Sequence, residues 1–163
     1  MAGPVGSSSS DASIHTNENE GLVITSTKLI PLQFANDLED AISRQREIVD
    51  ITPDSHPDKP SLLNNLGISF LTRFERLGQP NDLEDAIWRQ REAVDLTPDG
   101  HPDKPSLLNN LGNSFLTRFE RLGQLNDLED AISRQREAID LTPDGHPDKP
   151  SRLNNLGKSF LTR

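Results

Sequence analysis

One passage of this sequence occurs three times. Units that begin at Asn36, Asn81 and Asn126 follow one another at intervals of 45 residues, and the third unit runs to Arg163. The first two units differ at six positions: Ser43/Trp88, Ile48/Ala93, Ile51/Leu96, Ser55/Gly100, Ile68/Asn113 and Pro80/Leu125. A repeat of this length predicts a stacked array, because one unit is too small to bury its apolar surface without neighbours.

The first segment of each unit has the pattern of an amphipathic helix. In the second unit its apolar face, at spacings of three, four and seven, is Leu83, Ala86, Ile87, Ala93 and Val94. Asn81 and Glu84 predict a capping box at its start, and Asp85 and Arg89 predict an i,i+4 ion pair. The turn-forming residues 97–100 end the segment.

The second segment follows the sequence HPDKP and is also helical in pattern. Asp103 predicts an N-cap, and Pro105 fits the first turn. Its apolar stripe is Leu108, Leu111, Phe115, Phe119 and Leu122. Gly112 costs about 1 kcal/mol inside a helix relative to Ala, so it predicts that a neighbouring helix approaches closely there. The patterns predict helices near 37–51, 59–78, 82–96, 104–123, 127–141 and 149–163, and no segment shows the alternation of a half-buried strand.

The residues before the array have a different composition. Residues 1–21 are rich in Ser, Gly, Asn and Glu and predict a disordered N-terminal tail, since they have little apolar surface to bury. Residues 22–35 are apolar enough to pack, either as a degenerate first helix or as an apolar strap. Pro31 argues against a straight helix there.

Composition excludes several classes of partner. A net charge of −9 and a pI near 4.8 argue against binding to nucleic acid or an anionic membrane, because such binding needs a basic surface. The absence of cysteine excludes disulfides and thiolate zinc sites and favours a cytoplasmic location. No secretory signal or membrane-spanning stretch is present. We therefore expect a soluble protein with neither nucleic acid nor membrane as a partner.

No constellation of catalytic residues stands out. The sequence has no Gly-rich phosphate loop, no HExxH and no Ser or Cys nucleophile with a plausible base, so we expect no enzyme activity and no cofactor. His56, His101 and His146 each lie in HPD, which also occurs in chaperone J-domains. Here it is interpreted as a helix-initiating turn. Equivalent residues on stacked units lie about 10 Å apart, too far for one metal ion.

The array resembles tetratricopeptide repeats. A Leu-Gly pair followed by an aromatic residue, typical of the first helix of that family, occurs at Leu66-Gly67/Phe70, Leu111-Gly112/Phe115 and Leu156-Gly157/Phe160. Two small residues and a Pro, typical of the second helix, occur at Ala86/Ala93/Pro98 and Ala131/Ala138/Pro143. Departures are Leu63, Leu108 and Leu153 in place of Trp, Gln45, Gln90 and Gln135 in place of an aromatic residue, and the long period, since the family usually repeats at ~34 residues. Longer units of this kind are similar to those of kinesin light chain and to fungal arrays that often precede a caspase-like CHAT protease domain.

This resemblance implies an all-α fold: a right-handed α-α superhelix (solenoid) of antiparallel helix pairs over residues 36–163, with units 36–80, 81–125 and a truncated 126–163. It also implies a scaffold for protein–protein interaction, in which the first helix of each pair lines a concave groove. The residues expected to bind a peptide are Asn65, Asn110, Asn155, Ile68, Asn113 and Lys158. The asparagines would hold the peptide backbone, while the variable position, one turn along, would set preference.

Alternatives to this groove remain open. The asparagines could instead form a polar ladder, and the variable position could be an exposed site without a role. Lys158 with Arg152 would favour an acidic peptide, if the groove is used. Arg73, Arg118 and Arg163 also repeat and are interpreted as solvated. Trp88, which is serine in the other two units, is expected to be half exposed.

Two alternatives concern the whole chain. It could be the N-terminal regulatory or spacer part of a larger multidomain protein of the CHAT protease type. It could also associate with itself, because the stripe of Leu153, Leu156 and Phe160 has no covering helix in the sequence.

Overall fold

The computed structural model describes residues 22–25 and 28–163, so the predicted tail lies outside the described residues. Its first elements are two short strands, β1 (Leu22–Thr25) and β2 (Lys28–Pro31), which pair antiparallel with Leu22 opposite Pro31. The sequence patterns did not predict these strands. The segment is rich in β-branched residues, which favour an extended backbone, and α1 begins directly after Pro31.

Six helices account for the remaining described residues and their connections: α1 (Leu32–Ile51), α2 (Lys59–Leu77), α3 (Asn81–Leu96), α4 (Lys104–Leu122), α5 (Leu125–Asp140) and α6 (Lys149–Thr162). The predicted all-α class is thus confirmed for this part of the chain. The predicted helix bounds hold within two residues, except that α1 starts at Leu32 instead of residue 37. Within the described part, no helix combines the length and apolarity needed to cross a bilayer.

The helices pack in succession, as in a solenoid. Each helix contacts the next one along the chain, and α2 contacts α4, which in turn contacts α6. Short connections such as residues 78–80 make consecutive helices antiparallel. We refer to α2, α4 and α6 together as the α2–α4–α6 layer and to α1, α3 and α5 as the opposite layer.

The core lies between these two layers and repeats with the units. Leu63, Leu66 and Phe70 of α2 are buried, and so are their counterparts in α4, Leu108, Leu111 and Phe115. The opposite layer contributes smaller side chains, among them Ala86, Ala93, Ala131 and Ala138. Large residues on one layer facing small residues on the other allow the close packing that a thin core needs.

Close helix approach at the glycines is confirmed. A Cβ added at Gly67 would lie 2.8 Å from Cγ of Gln90 and 3.0 Å from the carbonyl oxygen of Ala86. At Gly112 the same atoms of Gln135 and Ala131 would lie at 2.8 and 3.1 Å. The closely packed pairs are therefore α2 with α3 and α4 with α5.

Two predicted capping arrangements are wrong in detail. Asn81 lies inside α3, whose N-cap is Pro80, a residue with no side-chain group that could make a cap bond. The carboxylate of Glu84 accepts hydrogen bonds from Arg118 instead. Asp103 occupies the N-cap position of α4 but makes no side-chain cap bond.

The HPD turn is closed by its histidine. The backbone N–H of Asp103 donates to Nδ1 of His101 at 3.2 Å, and the same bond joins Asp58 to His56 and Asp148 to His146. The helix-initiating interpretation of HPD therefore agrees with the structure, although the imidazole rather than the Asp carboxylate makes the side-chain bond.

A lysine that sequence reasoning overlooked joins consecutive helices at each HPDKP turn. Nζ of Lys104, at the start of α4, donates to the carbonyl oxygens of Val94 at 2.8 Å and Thr97 at 2.6 Å. Lys59 makes the same two bonds, while Lys149 donates to one carbonyl and to Asp144 at 2.6 Å, which lowers the pKa of that carboxyl group. A cation is favourable at a helix C-terminus, where carbonyl groups lack partners. The lysine therefore anchors the end of one helix to the start of the next.

Candidate functional site

The asparagines expected to bind a peptide lie in one row across the α2–α4–α6 layer. Nδ2 of Asn110 donates to Oδ1 of Asn64 at 3.1 Å, and Nδ2 of Asn155 donates to Oδ1 of Asn109 at 3.1 Å. Asn65, at the equivalent position of α2, is exposed and has no side-chain partner among the described residues. The second asparagine of each unit thus bonds the first asparagine of the preceding unit. This is a polar ladder, although it joins helices rather than loops.

The ladder does not exhaust the hydrogen-bonding capacity of its members. A carboxamide has two donor hydrogens and two acceptor lone pairs, and each bond described uses one donor and one acceptor. Asn110 and Asn155 are only half-buried. Their ladder bonds hold them in place while leaving polar groups free, which is the arrangement that favours recognition of another backbone.

The variable position next to the row has three different environments. Ile68 is exposed. Asn113 accepts a hydrogen bond from Nε2 of Gln135 at 3.0 Å, so it belongs to the contact between α4 and α5. Lys158 is exposed and forms an ion pair with Glu120 at 3.0 Å.

The expectation that Arg152 and Lys158 add positive charge to a groove is wrong for Arg152. Its side chain is buried and donates to Thr142, to Ser106 at 2.9 Å and to Asp148 at 3.3 Å. Arg152 is therefore used to hold α6 against α4 and the preceding turn. Because Glu120 also neutralises Lys158, this end of the layer carries no free positive pair for an acidic peptide.

A buried glutamine lies in each closely packed helix pair. Gln135 accepts from Oγ of Ser159 at 2.7 Å in addition to its bond to Asn113. Gln90, at the equivalent position of α3, is 1% exposed, yet neither its Oε1 nor its Nε2 has a partner, and Oγ of Ser114 lacks one too. The two helix pairs therefore share a backbone arrangement but differ in buried hydrogen bonding.

Two of the three repeated arginines, Arg73 and Arg118, are not solvated, contrary to expectation, whereas Arg163 is exposed as expected. The side chain of Arg118 is 14% exposed and bonds both oxygens of Asp127, at 2.6 and 2.9 Å, and both oxygens of Glu84, at 2.8 Å. Arg73 likewise bonds both oxygens of Asp82, and it bonds one oxygen of Glu39. We call each set an arginine clamp, because one guanidinium of the α2–α4–α6 layer holds two helices of the opposite layer. The hydrogen bonds to the carboxylates raise the pKa of Arg73 and Arg118 despite the opposing effect of burial.

Cation–π contacts complete each clamp. Arg91 lies over the ring of Phe115, with 4.9 Å between its Cζ and the ring centroid, and Arg46 lies over Phe70 at the same distance. These arginines also face Asp130 and Asp85 of the next helix in their layer, at 3.9 and 3.7 Å. Asp85 thus lies within ion-pair distance of Arg46 and not of its predicted partner Arg89, which pairs with Glu92. Arg46 and Arg91 are therefore used in contacts between helices of the array and do not stand free to bind a ligand.

Other features of the described residues add little chemistry. Trp88 is exposed, with the guanidinium of Arg89 4.4 Å from its ring. A groove of about 470 Å³ lies at the α5–α6 end, where Glu129, Ile132, Arg136 and Arg163 line it. No group of three or more His, Cys, Asp or Glu side chains in the described part is placed to hold a metal ion.

Comparison with known proteins does not identify a family for this chain. No family model matches this chain, and no curated protein matches it in sequence. Its relation to tetratricopeptide repeats therefore remains a resemblance of motifs, supported by the succession of helix pairs.

Proposed function

We propose that this chain is a non-catalytic scaffold that binds an extended segment of a partner protein along the α2–α4–α6 layer. The row of Asn65, Asn110 and Asn155 carries the proposal. These side chains repeat with the units, lie at the surface or half-buried, and keep donors and acceptors free beyond the ladder.

The spacing of the row suits an extended backbone. Packed helices lie about 8–10 Å apart, and an extended chain advances about 3.3 Å per residue. Successive asparagines would therefore meet roughly every third residue of the bound segment. An extended segment has unpaired N–H and C=O groups, which a carboxamide can bond as both donor and acceptor.

The variable position, occupied by Ile68, Asn113 and Lys158, would determine which peptide side chains are preferred. Ile68 presents an apolar side chain beside Asn65, whereas Lys158 beside Asn155 is paired with Glu120. The segment best suited to this surface is apolar at the Ile68 end and neutral or polar at the other. The proposed scaffold is non-catalytic, since Arg118, Lys104 and His101 and their equivalents in the first unit are used in bonds between helices and turns.

A selection from a random peptide library tests the proposal. The bait is the full chain, and the matched variant carries Asn65→Ala, Asn110→Ala and Asn155→Ala. At about 0.5–1.5 kcal/mol for each lost hydrogen bond, binding of the selected peptides should weaken at least ~10-fold. Circular dichroism of both baits checks that the variant keeps its helices.

The control variant changes the opposite layer by Ser43→Ala, Trp88→Ser and Ser133→Ala, three exposed and equivalent positions. Peptides should bind this variant as well as the unchanged chain. If instead binding survives the asparagine changes and is lost in the control, the site lies on the opposite layer and Trp88 becomes its anchor.

A further inference from the structure

The first and last described helices, α1 and α6, expose complementary halves of one contact. In the closely packed pairs, Gly67 faces Ala86 and Gln90, and Gly112 faces Ala131 and Gln135. Gly157 of α6 is the third such glycine, and a Cβ placed there would meet nothing within 4 Å. Helix α1 carries the third Ala and Gln of the series, Ala41 and Gln45, and Ala41 is exposed.

We propose that a second copy of this chain docks its α1 on α6, repeating the α2–α3 and α4–α5 contacts, so that copies associate head to tail. The proposal is independent of peptide binding. The occupant follows from the molecule itself, since in the described residues the face of α3 and α5 that α1 shares packs on helices of the α6 type, α2 and α4.

Apolar surface is exposed on both halves. On α6, Leu153 and Phe160 are exposed, although their counterparts Leu63, Leu108, Phe70 and Phe115 are buried. On α1, Ile48 is exposed, although Ala93 and Ala138 at the equivalent positions are buried. Docking would remove these side chains from water, which is the main favourable term in association.

Charge is complementary as well. In each arginine clamp the guanidinium bonds an Asp nine positions further along the chain, in the next helix, and a Glu of the preceding helix. The third arginine is Arg163, which is exposed and lines the same groove as Glu129, the equivalent of Glu84. The missing aspartate corresponds to Asp37, exposed near the start of α1. A docked copy would therefore bring Asp37 to Arg163 and complete a third clamp.

The asparagine ladder also ends with one free member on each side. Asn154, the equivalent of the acceptors Asn64 and Asn109, is exposed and has no partner among the described residues. Asn65, the equivalent of the donors Asn110 and Asn155, is exposed at the other end. With α1 of a second copy on α6, its α2 lies where Asn65 can donate to Asn154. Three separate repeated contacts are thus completed by one placement.

Such a contact is heterologous, because it joins two different surfaces, and it can continue from copy to copy. Multi-angle light scattering of the full chain against concentration should show a mass that rises past that of a dimer. Two single variants block one half each: Gly157→Leu fills the open site on α6, and Ala41→Arg blocks α1. Both positions are open in the single chain, so neither change disturbs its own packing.

Each variant alone should remain a monomer, whereas an equimolar mixture should form a dimer and nothing larger, since only one intact pair of surfaces remains. The matched control Ser43→Arg, an exposed change on α1 outside the shared face, should associate like the unchanged chain. A monomeric mass up to about 1 mM would overturn the proposal. A dimer that resists Ala41→Arg would overturn it too, because α6 would then be pairing with α6.

Discussion

The Gly67 and Gly112 contacts have the same packing but different buried hydrogen bonds. In both, a glycine of the α2–α4–α6 layer lies against an alanine carbonyl and a glutamine side chain. Gln135 has a partner on each side, Asn113 and Ser159, whereas both polar atoms of Gln90 have none. One of the six differences between the first two units accounts for the missing partner of Nε2, because Ile68 stands where Asn113 accepts from Gln135. The missing partner of Oε1 has no such explanation, because Ser114, the equivalent of Ser159, is present but its Oγ is unpaired. Packing follows from the residues that the units share, whereas buried hydrogen bonding differs at both a changed and a shared position.

The largest loss of stability should come from breaking an arginine clamp, and it should be the same in the α2–α3 and α4–α5 pairs. Arg73→Ala and Arg118→Ala leave Asp82 and Asp127 buried without their partner, and breaking a buried pair in this way costs about 3–5 kcal/mol. Urea denaturation followed by circular dichroism measures the loss. The control Arg89→Ala removes a more exposed pair and should cost less than about 1 kcal/mol. A difference above about 1 kcal/mol between the Arg73 and Arg118 variants would show that the clamps are not equivalent.

Replacing the glutamines should separate the two contacts by the sign of the effect. Gln135→Leu removes the partner of Asn113 and leaves the buried Ser159 with only its longer bond, at 3.3 Å, to the carbonyl oxygen of Asn155, and should destabilise by about 1–3 kcal/mol. Gln90→Leu removes two unpaired polar atoms and should be neutral or stabilising by up to about 1 kcal/mol. The same urea titration measures both, with Trp88 fluorescence as a second signal near Gln90. Equal losses from both variants would mean that Gln90 is satisfied in solution.

The smallest expected effect comes from giving Gln90 the hydrogen bond that Gln135 makes to Asn113. Ile68→Asn supplies Nε2 of Gln90 with the acceptor that Asn113 gives to Gln135, and should stabilise by about 0.5–1.5 kcal/mol. Little apolar burial is lost, since Ile68 is exposed. A double-mutant cycle with Gln90→Leu isolates the bond. The gain should vanish in the Gln90→Leu background; a gain that persists there would have another source, such as the solvent-facing side of α2.

The helices and the role of glycine could be predicted from the sequence, because periodicity and turn residues are local signals. The pattern of Leu108, Leu111 and Phe115 defines a buried stripe, and Gly112 within it already indicates close packing. These conclusions needed no knowledge of which helix lies opposite.

The polar contacts could not be predicted in the same way, because their partners are distant in sequence. Asp85 has an arginine four residues on, yet in the structure Arg46, on the preceding helix of its layer, faces it. Arg118 bonds residues 9 and 34 positions away, and the ladder joins residues 46 apart. A rule based on helical spacing gives a side chain one candidate partner, whereas stacking brings side chains from two or three other helices within its reach. The repeated HPDK lysine was a signal that could have been used, since a lysine at the start of every second helix follows directly on a helix end whose carbonyl groups need donors.

The lysine anchors have a consequence for covalent chemistry at amines. Of the four lysines in the helices, Lys59 and Lys104 are buried in bonds to carbonyl groups, and Lys149 is held by Thr142 and Asp144. Lys158 alone among them has a side chain that is more than half exposed, at 60%, and it is paired only with Glu120 on the surface. A limiting amount of an amine-reactive reagent should therefore modify Lys158 ahead of the other three. Among these four amines, the one at the α6 end is therefore the preferred attachment point for a dye or cross-linker.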